Sequence, residues 1–229
     1  MTAPPPLGSR AAGRRAGLLA AASTLLTLGG VALAVVRPPW LTEALGEAVQ
    51  GAGAAAPLTY TLLCALAAPF HLNGVLVALS SVIWPLPVAL ALSVAGSLLG
   101  NLLTAALLTR AAGAALRGRE AWPGWLARLP ARVGRRPLVA GLLARVALGS
   151  GMALEAFYVL TGYSRRQYLL VTVPGTLAWV TQALVGVAVL RELAQVSPGL
   201  TVLAVLAPLL TVALALGLRR GRRSPGGRP

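Results

Sequence analysis

Six long apolar stretches, separated by short polar or charged segments, make up most of this chain. Four of them are unbroken, and each is close to the length of about 20 residues that a helix needs to span a hydrocarbon core of roughly 30 Å. These four stretches are residues 16–36, 88–109, 168–190 and 199–218. Gly96 and Gly100 form a small-xxx-small face that suits close helix packing. The pattern predicts an all-α integral membrane protein with four spanning helices.

The other two apolar stretches, residues 55–83 and 138–162, are interrupted near their centres. Polar and helix-breaking residues interrupt the first stretch at residues 69–74, and Gly149-Ser150-Gly151 interrupts the second. Each arm has about 10 to 14 residues and would be roughly 15 to 21 Å long as a helix, which is too short to cross a bilayer alone. We expect both stretches to be re-entrant hairpins, which enter the membrane and return to the same side.

The composition agrees with a membrane protein. Of the 229 residues, 57% are hydrophobic and 11% are charged, and the mean hydropathy is +0.78. A water-soluble domain needs more polar surface than this. The net charge of +15 comes from arginines that border apolar segments, where membrane orientation and anionic headgroups explain them better than nucleic acid does. We therefore expect no nucleic-acid partner.

Arginine clusters predict the orientation of the chain, because basic loops stay on the cytoplasmic side of a membrane. The clusters lie at residues 10–15, 110–136, 165–166 and 219–228. All four clusters can be cytoplasmic only if each interrupted stretch returns to the side from which it entered. The segments 55–109 and 138–190 then start on opposite sides and form an inverted repeat. Both termini are expected in the cytoplasm, and the multi-pass chain is expected in the cytoplasmic (inner) membrane.

The segments outside the apolar stretches are shorter and more polar. Residues 1–15 and 219–229 are basic tails, and residues 37–53 form a short, mildly acidic segment. Residues 110–137 combine arginines with tryptophans and aliphatic residues at helical spacing, which predicts an amphipathic loop on the cytoplasmic membrane surface. A cleaved signal peptide is the alternative to the first spanning helix, because residues 32–34 resemble a small-residue cleavage site.

Two opposite charges, Arg145 and Glu155, are placed symmetrically about Ser150 in the second interrupted stretch. If residues 149–151 form a turn, the two side chains face each other within the bilayer. An intramembrane charge costs about 2.5–3.5 kcal/mol, so such residues are functional candidates by default. The guanidinium group of Arg145 is permanently charged, and its N–H groups match the geometry of phosphate oxygens. Glu155 would hold Arg145 until a phosphate arrives. A purely structural pair that pins the hairpin is the alternative.

Other polar residues extend the candidate binding site for a lipid phosphate. His71, near the middle of the first interrupted stretch, would stand close to Arg145 if the hairpins meet tip to tip, and would then relay a proton near neutral pH. A packing histidine is the alternative. Asn73 is expected to cap a broken half-helix, whose N-terminal dipole favours an anion. Arg165 and Arg166 are expected to contact cytoplasmic lipid headgroups.

Several short motifs, taken in their order along the chain, resemble the DedA/VTT (SNARE-associated Golgi protein) membrane family. The motifs are Pro69-x-x-x-x-Gly74, the run from Ala95 to Gly100, Arg145, and the run from Gly162 to Gly175. The likeness covers residues 55–190. It implies two opposed re-entrant hairpins, proton-coupled transport, and the movement of lipids between leaflets, including bacterial undecaprenyl-phosphate recycling. This chain departs from the family in having only His71 and Asn73 where acidic residues are usual.

The sequence as a whole predicts a membrane lipid or lipid-phosphate translocator of the flippase or scramblase kind. Its expected partners are membrane lipids, either anionic lipids or polyprenyl phosphates. Coupled transport of a small anion and a non-transporting membrane scaffold are the alternatives. The chain contains no Asp, no His/Cys/Glu cluster with metal-ligand spacing, no nucleophile elbow and no phosphate-binding glycine loop. We therefore expect no enzyme activity, no cofactor and no metal.

Overall fold

A computed structural model of the chain describes residues 26–70, 72–115 and 136–204. Several predicted features lie outside these ranges. They are both basic tails, residues 16–25 of the first predicted helix, His71, residues 116–135 of the amphipathic loop, and residues 205–218 of the last predicted helix.

Helices make up the described chain apart from short connections, and no strand occurs in the described ranges. In chain order the helices are α1 (Leu26–Val36), α2 (Pro39–Ala52), α3 (Ala56–Ala67), α4 (Asn73–Ile83), α5 (Leu86–Ala115), α6 (Pro137–Leu148), α7 (Met152–Leu160), α8 (Arg165–Val196) and α9 (residues 198–204). Two 3₁₀ turns, Gly53–Ala55 and Ala68–Phe70, follow α2 and α3. The predicted all-α class is confirmed.

Within the described residues, three helical segments are long and apolar enough to cross a membrane. They are Pro39–Phe70, Leu86–Ala111 and Arg165–Val196. The second and third segments contain the predicted spans 88–109 and 168–190. The first segment differs from the prediction, because it joins the acidic segment 37–53 to the first arm of the first interrupted stretch. The observed helices agree with an all-α membrane protein.

Helix α2 occupies most of residues 37–53, which the sequence marks only as a short acidic segment. Pro39 lies in its first turn, where a missing N–H group costs no helical hydrogen bond. Glu43 and Glu47 are exposed on its surface. Gly53 then bends the chain with φ 53° and ψ −131°, a conformation that glycine adopts without steric cost. The long first segment is therefore two helices joined at a bend.

The same order of elements occurs twice: a short helix, a turn, a second short helix and a long helix. The first motif consists of α3, α4 and α5, and the second motif consists of α6, α7 and α8. In each motif the first short helix lies along its own long helix. The second short helix of each motif packs against the long helix of the other motif, α4 against α8 and α7 against α5. Helix α4 also packs against its own long helix α5, and the inverted repeat of residues 55–109 and 138–190 stays a prediction.

The long helices α5 and α8 run antiparallel. Ala89, near the start of α5, packs in one cluster with Leu184 in the second half of α8. Ala105, near the end of α5, packs against the cluster that contains Val171, near the start of α8. Because α4 leads into the start of α5 and α7 leads into the start of α8, the two short-helix pairs enter the bundle from opposite ends.

The tips of the two short-helix pairs meet at Trp179 of α8. A Cβ atom added to Gly149, after α6, would stand 2.4 Å from the Trp179 ring, and one added to Gly74, in α4, would stand 3.9 Å from it. The 3₁₀ turn Ala68–Phe70 also contacts α7. The turn at residues 149–151 is buried in the bundle, and the 3₁₀ turn approaches it with Ala68 buried and Phe70 exposed.

The outside of the long helices is apolar, and the interior of the bundle combines apolar clusters with polar side chains. Large aliphatic side chains of the long helices are exposed, namely Leu99, Leu102, Leu103, Leu107, Leu169, Leu170, Val173 and Leu177. The polar side chains of the same helices are buried, namely Ser93, Ser97, Asn101, Thr104, Thr172 and Thr176. Lipid around the bundle and polar contacts between helices account for this arrangement.

Gly96 and Gly100 allow α3 to approach α5 closely. A Cβ atom on Gly100 would stand 2.6 Å from the carbonyl oxygen of Ala65, and one on Gly96 would stand 2.8 Å from that of Thr61. The predicted small-xxx-small packing face is confirmed, and it faces the first short helix of its own motif.

Candidate functional site

Arg145 and Glu155 form a buried salt bridge beside the turn between α6 and α7. Arg145 Nη1 donates to Glu155 Oε1 at 2.6 Å, and the relative exposure of both side chains is 0%. Gly149 permits the turn, because its φ of 70° lies in the left-handed region. The carbonyl oxygen of Gly149 accepts a second hydrogen bond from Nη1 at 3.2 Å. The pairing predicted from the symmetry about Ser150 is confirmed.

Neutral groups of α7 and α8 complete the surroundings of the ion pair. Arg145 Nη2 donates to Thr172 Oγ1 at 3.2 Å, and the Tyr168 hydroxyl donates to Glu155 Oε2 at 2.7 Å. The ring of Tyr158 lies 5.0 Å from the guanidinium carbon, which is within the range of a cation–π interaction. Both carboxylate oxygens and both terminal guanidinium nitrogens therefore have partners, as a buried pair requires.

Two glycines bring α6 against the backbone of α8 and so fix the position of Arg145. A Cβ atom on Gly175 would stand 2.5 Å from Arg145 Cγ. A Cβ atom on Gly141 would stand 2.9 Å from the Tyr163 hydroxyl and 3.1 Å from a methyl group of Val171. The arginine occupies the space that the missing side chain of Gly175 leaves on α8.

Two polar groups beside the salt bridge remain without a hydrogen-bond partner. They are Arg145 Nε and Ser150 Oγ, and both atoms are buried. Ser150 follows Gly149, whose carbonyl group contacts Arg145, so the hydroxyl belongs to the turn and the guanidinium group to the end of α6 that contacts this turn. A buried polar group without a partner costs about 1–3 kcal/mol and calls for a ligand, a water or a functional explanation. The region of the ion pair therefore holds one guanidinium N–H and one hydroxyl that are not used by the protein.

Asn73 belongs to a different polar cluster, between α4 and α5. Its Nδ2 donates to Ser97 Oγ at 2.6 Å, while Leu72 holds the N-cap position without a side-chain hydrogen bond. The expectation that Asn73 caps the helix is wrong, because its buried amide finds a partner across the helix interface. Asn73 Oδ1 is buried without a partner. Among the described residues, Asn73 and Arg145 share no hydrogen-bond partner. The two predicted site residues therefore belong to separate clusters.

The neutral cluster extends from Asn73 to Tyr60 of α3. The Tyr60 hydroxyl lies 2.7 Å from Ser93 Oγ, and the Ser97 hydroxyl donates to the Ser93 carbonyl oxygen at 2.6 Å. Ser80 Oγ of α4 lies 3.3 Å from Ser93 Oγ. The first motif therefore buries hydroxyl and amide groups where the second motif buries opposite charges.

Arg165 and Arg166 lie in the first turn of α8 and are exposed. Ser164 begins this helix through a capping box with Gln167, in which each side chain bonds the other residue's backbone N–H. The exposure of both arginines is compatible with headgroup contact, which stays a prediction. His71 lies outside the described residues, so its proposed place near Arg145 also stays a prediction.

Three residues of α8 contribute to the site although the sequence marks them only as part of the run from Gly162 to Gly175 and predicts no role for them. Tyr168 holds Glu155, Thr172 holds Arg145, and Gly175 makes room for the arginine. These residues recur at helical spacing along one side of an apolar helix. A narrow stripe of polar and small residues on such a helix is the sequence signal that indicates the buried face.

The described residues contain no group of three or more His, Cys, Asp or Glu side chains that is placed to hold a metal ion. No protein-family model, curated protein or solved structure matches the chain. The resemblance to the DedA/VTT family therefore rests on its short motifs, and the role of each residue has to be argued from the geometry.

Proposed function

We propose that this chain is a membrane translocator that moves phosphate-bearing lipid headgroups between leaflets, with Arg145 and Glu155 at its binding site. The observation that carries the proposal is a fully buried ion pair with two unused polar groups, Arg145 Nε and Ser150 Oγ, beside it. A pair that only pins a hairpin has no need of unused donors. A phosphate group brings several acceptor oxygens to such donors.

Both short-helix pairs are placed in the membrane as re-entrant hairpins. Helix α6 has 12 residues and α7 has 9, which gives lengths of about 18 and 14 Å. Neither crosses a core of about 30 Å. Because the tips meet between long helices that are apolar outside, the turn at residues 149–151 lies near the midplane. Transporters built from inverted repeats bind their substrates at this depth.

The arginines support the orientation of the bundle. Arg110, at the end of α5, and Arg136, before α6, lie at the end of the bundle where α8 begins with Arg165 and Arg166. The positive-inside rule assigns this end to the cytoplasm. If the apolar stretches 16–36 and 199–218 are two further spanning helices, as the sequence predicts, both termini are cytoplasmic. We assign the chain to the cytoplasmic membrane and, by its motifs, to the DedA/VTT group.

Glu155 acts in this proposal as a resident anion. When the site is empty, it neutralises Arg145 and accepts a hydrogen bond from Tyr168. An incoming phosphate replaces the Glu155 carboxylate as the partner of the Arg145 guanidinium group. The phosphate also accepts hydrogen bonds from Arg145 Nε and the Ser150 hydroxyl. Glu155 keeps its hydrogen bond from Tyr168. Exchange of one anion for another never leaves an unpaired arginine within the hydrocarbon region, where it would be costly.

Leaflet exchange of fluorescent phosphatidylglycerol in liposomes tests the proposal. Wild type should accelerate exchange. Arg145→Gln should be at least about tenfold slower, because a hydrogen bond to a charged group contributes about 1.5–3 kcal/mol. The double variant Arg145→Met/Glu155→Leu should fold, since apolar residues often replace a buried ion pair without loss of stability, but it should not exchange lipid.

Arg110→Gln is the matched control, because it removes an exposed arginine distant from the turn, and it should exchange lipid at the wild-type rate. Full activity in the folded double variant would show that the ion pair is structural and would overturn the proposal. Uptake of inorganic phosphate without lipid exchange would favour a small-anion transporter. Absence of both activities in wild type would favour a scaffold.

A further inference from the structure

Two arginines from distant parts of the chain converge on Ser81 of α4. Arg191, near the end of α8, donates through Nη2 to the Ala34 carbonyl oxygen at 3.1 Å and to the Ser81 hydroxyl at 3.3 Å. Arg37, between α1 and α2, donates through Nη2 to the Ser81 carbonyl oxygen. Both guanidinium groups therefore lie beside one serine, at the end of the bundle opposite the start of α8.

Neither arginine is paired with a carboxylate. The one salt bridge found among the described residues joins Arg145 to Glu155. The negative charge of Glu192 attracts Arg191, and the positive charge of Arg37 repels it. Glu192 forms no salt bridge with Arg191. Two like charges held beside one residue repel each other, and neutral oxygen acceptors offset this repulsion only in part. An anion bound between the two guanidinium groups would turn the repulsion into attraction.

The backbone of Arg37 is strained. Its φ of 49° makes it the one residue other than glycine with a positive φ in the described ranges. This conformation costs about 1–2 kcal/mol for a residue with a Cβ atom, and such outliers cluster at ligand sites and switch regions. The Arg37 side chain is exposed, so burial of the side chain does not offset the strain.

Arg191 retains an unused donor after its contacts with the protein. Its Nε is buried and has no hydrogen-bond partner. Adjacent guanidinium N–H groups form the fork that binds the two oxygens of a phosphate or carboxylate. Arg37 donates through one terminal nitrogen only. The exposed Arg37 side chain thus keeps donors open to an anion that approaches the end of α8, and Arg191 adds a second positive charge beside it.

The surroundings of the pair favour a lipid over a soluble anion. Val36, next to Arg37, is 72% exposed, and Val189, two residues before Arg191, is 59% exposed. Exposed aliphatic side chains beside guanidinium groups match the boundary between acyl chains and phosphates. Under the orientation proposed above, this end faces away from the cytoplasm, where the positive-inside rule gives no reason for arginine.

We infer that Arg37 and Arg191 form a second anion site, separate from Arg145, that binds the phosphate group of an anionic lipid in the non-cytoplasmic leaflet. Only the choice of leaflet rests on the proposed orientation. Binding at this site requires no transport, so it can be tested whether or not the chain translocates lipid.

Native mass spectrometry of the purified full chain in neutral detergent tests the inference. The chain is titrated with phosphatidylglycerol, with diacylglycerol, which lacks phosphate, and with inorganic phosphate. Arg37→Gln/Arg191→Gln should weaken phosphatidylglycerol binding about tenfold, because a bidentate charge-assisted contact is lost. The same loss should occur in the Arg145→Met/Glu155→Leu background, which removes the first site and separates the two proposals.

Arg110→Gln/Arg136→Gln is the matched control, since it removes two exposed arginines from the other end of the bundle, and it should bind the lipid as wild type does. Equal weakening in this control, or unchanged binding in Arg37→Gln/Arg191→Gln, would overturn the inference. Binding of inorganic phosphate without phosphatidylglycerol would overturn the assignment to lipid. If the double variant does not fold, Arg37→Gln alone, at an exposed position, should still weaken lipid binding about threefold.

Discussion

The two motifs share one arrangement of helices but bury different chemistry. The first motif encloses a neutral cluster that includes Tyr60, Asn73 and Ser93, whereas the second motif encloses the Arg145–Glu155 ion pair. The same antiparallel packing of long helices holds both. Since no salt bridge joins the short helices of the first motif among its described residues, an ion pair is not a requirement of this architecture. The comparison therefore favours a functional reason for the charges in the second motif.

Removal of one member of a buried pair should give the largest difference in stability between the two motifs. Arg145→Gln leaves Glu155 buried without its counter-charge and should lower the free energy of unfolding by about 3–5 kcal/mol. Asn73→Ala removes one neutral hydrogen bond to Ser97, whose hydroxyl keeps its bond to the Ser93 carbonyl oxygen, and should cost about 0.5–1.5 kcal/mol. Reversible unfolding in mixed micelles measures both values. Equal losses would mean that the ion pair is energetically no different from the neutral cluster.

Glycine-to-alanine substitutions at the two close helix contacts should distinguish an effect on stability from an effect on lipid exchange. In Gly100→Ala the new Cβ meets the Ala65 backbone, and in Gly175→Ala it meets the Arg145 side chain. Both should lower the free energy of unfolding by about 1–3 kcal/mol through overpacking, but only Gly175→Ala should also abolish lipid exchange, because it displaces the arginine. Gly186→Ala, with open space around it, is the control and should be neutral or stabilising by up to about 1 kcal/mol. Normal exchange in a folded Gly175→Ala variant would argue against Arg145.

Removal of single hydroxyl groups should give the smallest difference. Tyr168→Phe removes a hydrogen bond to a carboxylate and should cost about 1.5–3 kcal/mol, whereas Tyr60→Phe removes bonds to neutral groups and should cost about 0.5–1.5 kcal/mol. The same unfolding measurement compares them. A larger loss for Tyr60→Phe would reverse the ranking of the two clusters.

Local spacing explains what the sequence predicts well. Arg145 and Glu155 stand equally far from Ser150, so a turn of three small residues is enough to bring them together. The long apolar helices α5 and α8 follow from hydropathy alone. Their close packing face at Gly96 and Gly100 follows from the four-residue spacing of the glycines.

Contacts between distant segments explain what the sequence does not predict. The bonds of Asn73 to Ser97 and of Tyr168 to Glu155 depend on which faces of the helices meet, and hydropathy does not specify this. Asn73 resembles a helix cap because its residue type is common at caps, but burial gives its amide a tertiary partner. Helix α2 is missed because its polarity marks residues 37–53 as a connecting segment, whereas Pro39 in its first turn is compatible with a helix.

The close contact of α6 with α8 at Gly175 has a mechanical consequence. Arg145 belongs to a helix that lies directly on the backbone of α8, whereas Glu155 belongs to a helix that packs against α5. Tyr168 of α8 also holds Glu155, so both charges are bonded to α8 while the helix that carries Glu155 packs against α5. A movement of α5 relative to α8 would load the bonds of Glu155 to Tyr168 and to Arg145 together, so the geometry of the bundle and the strength of this site are coupled.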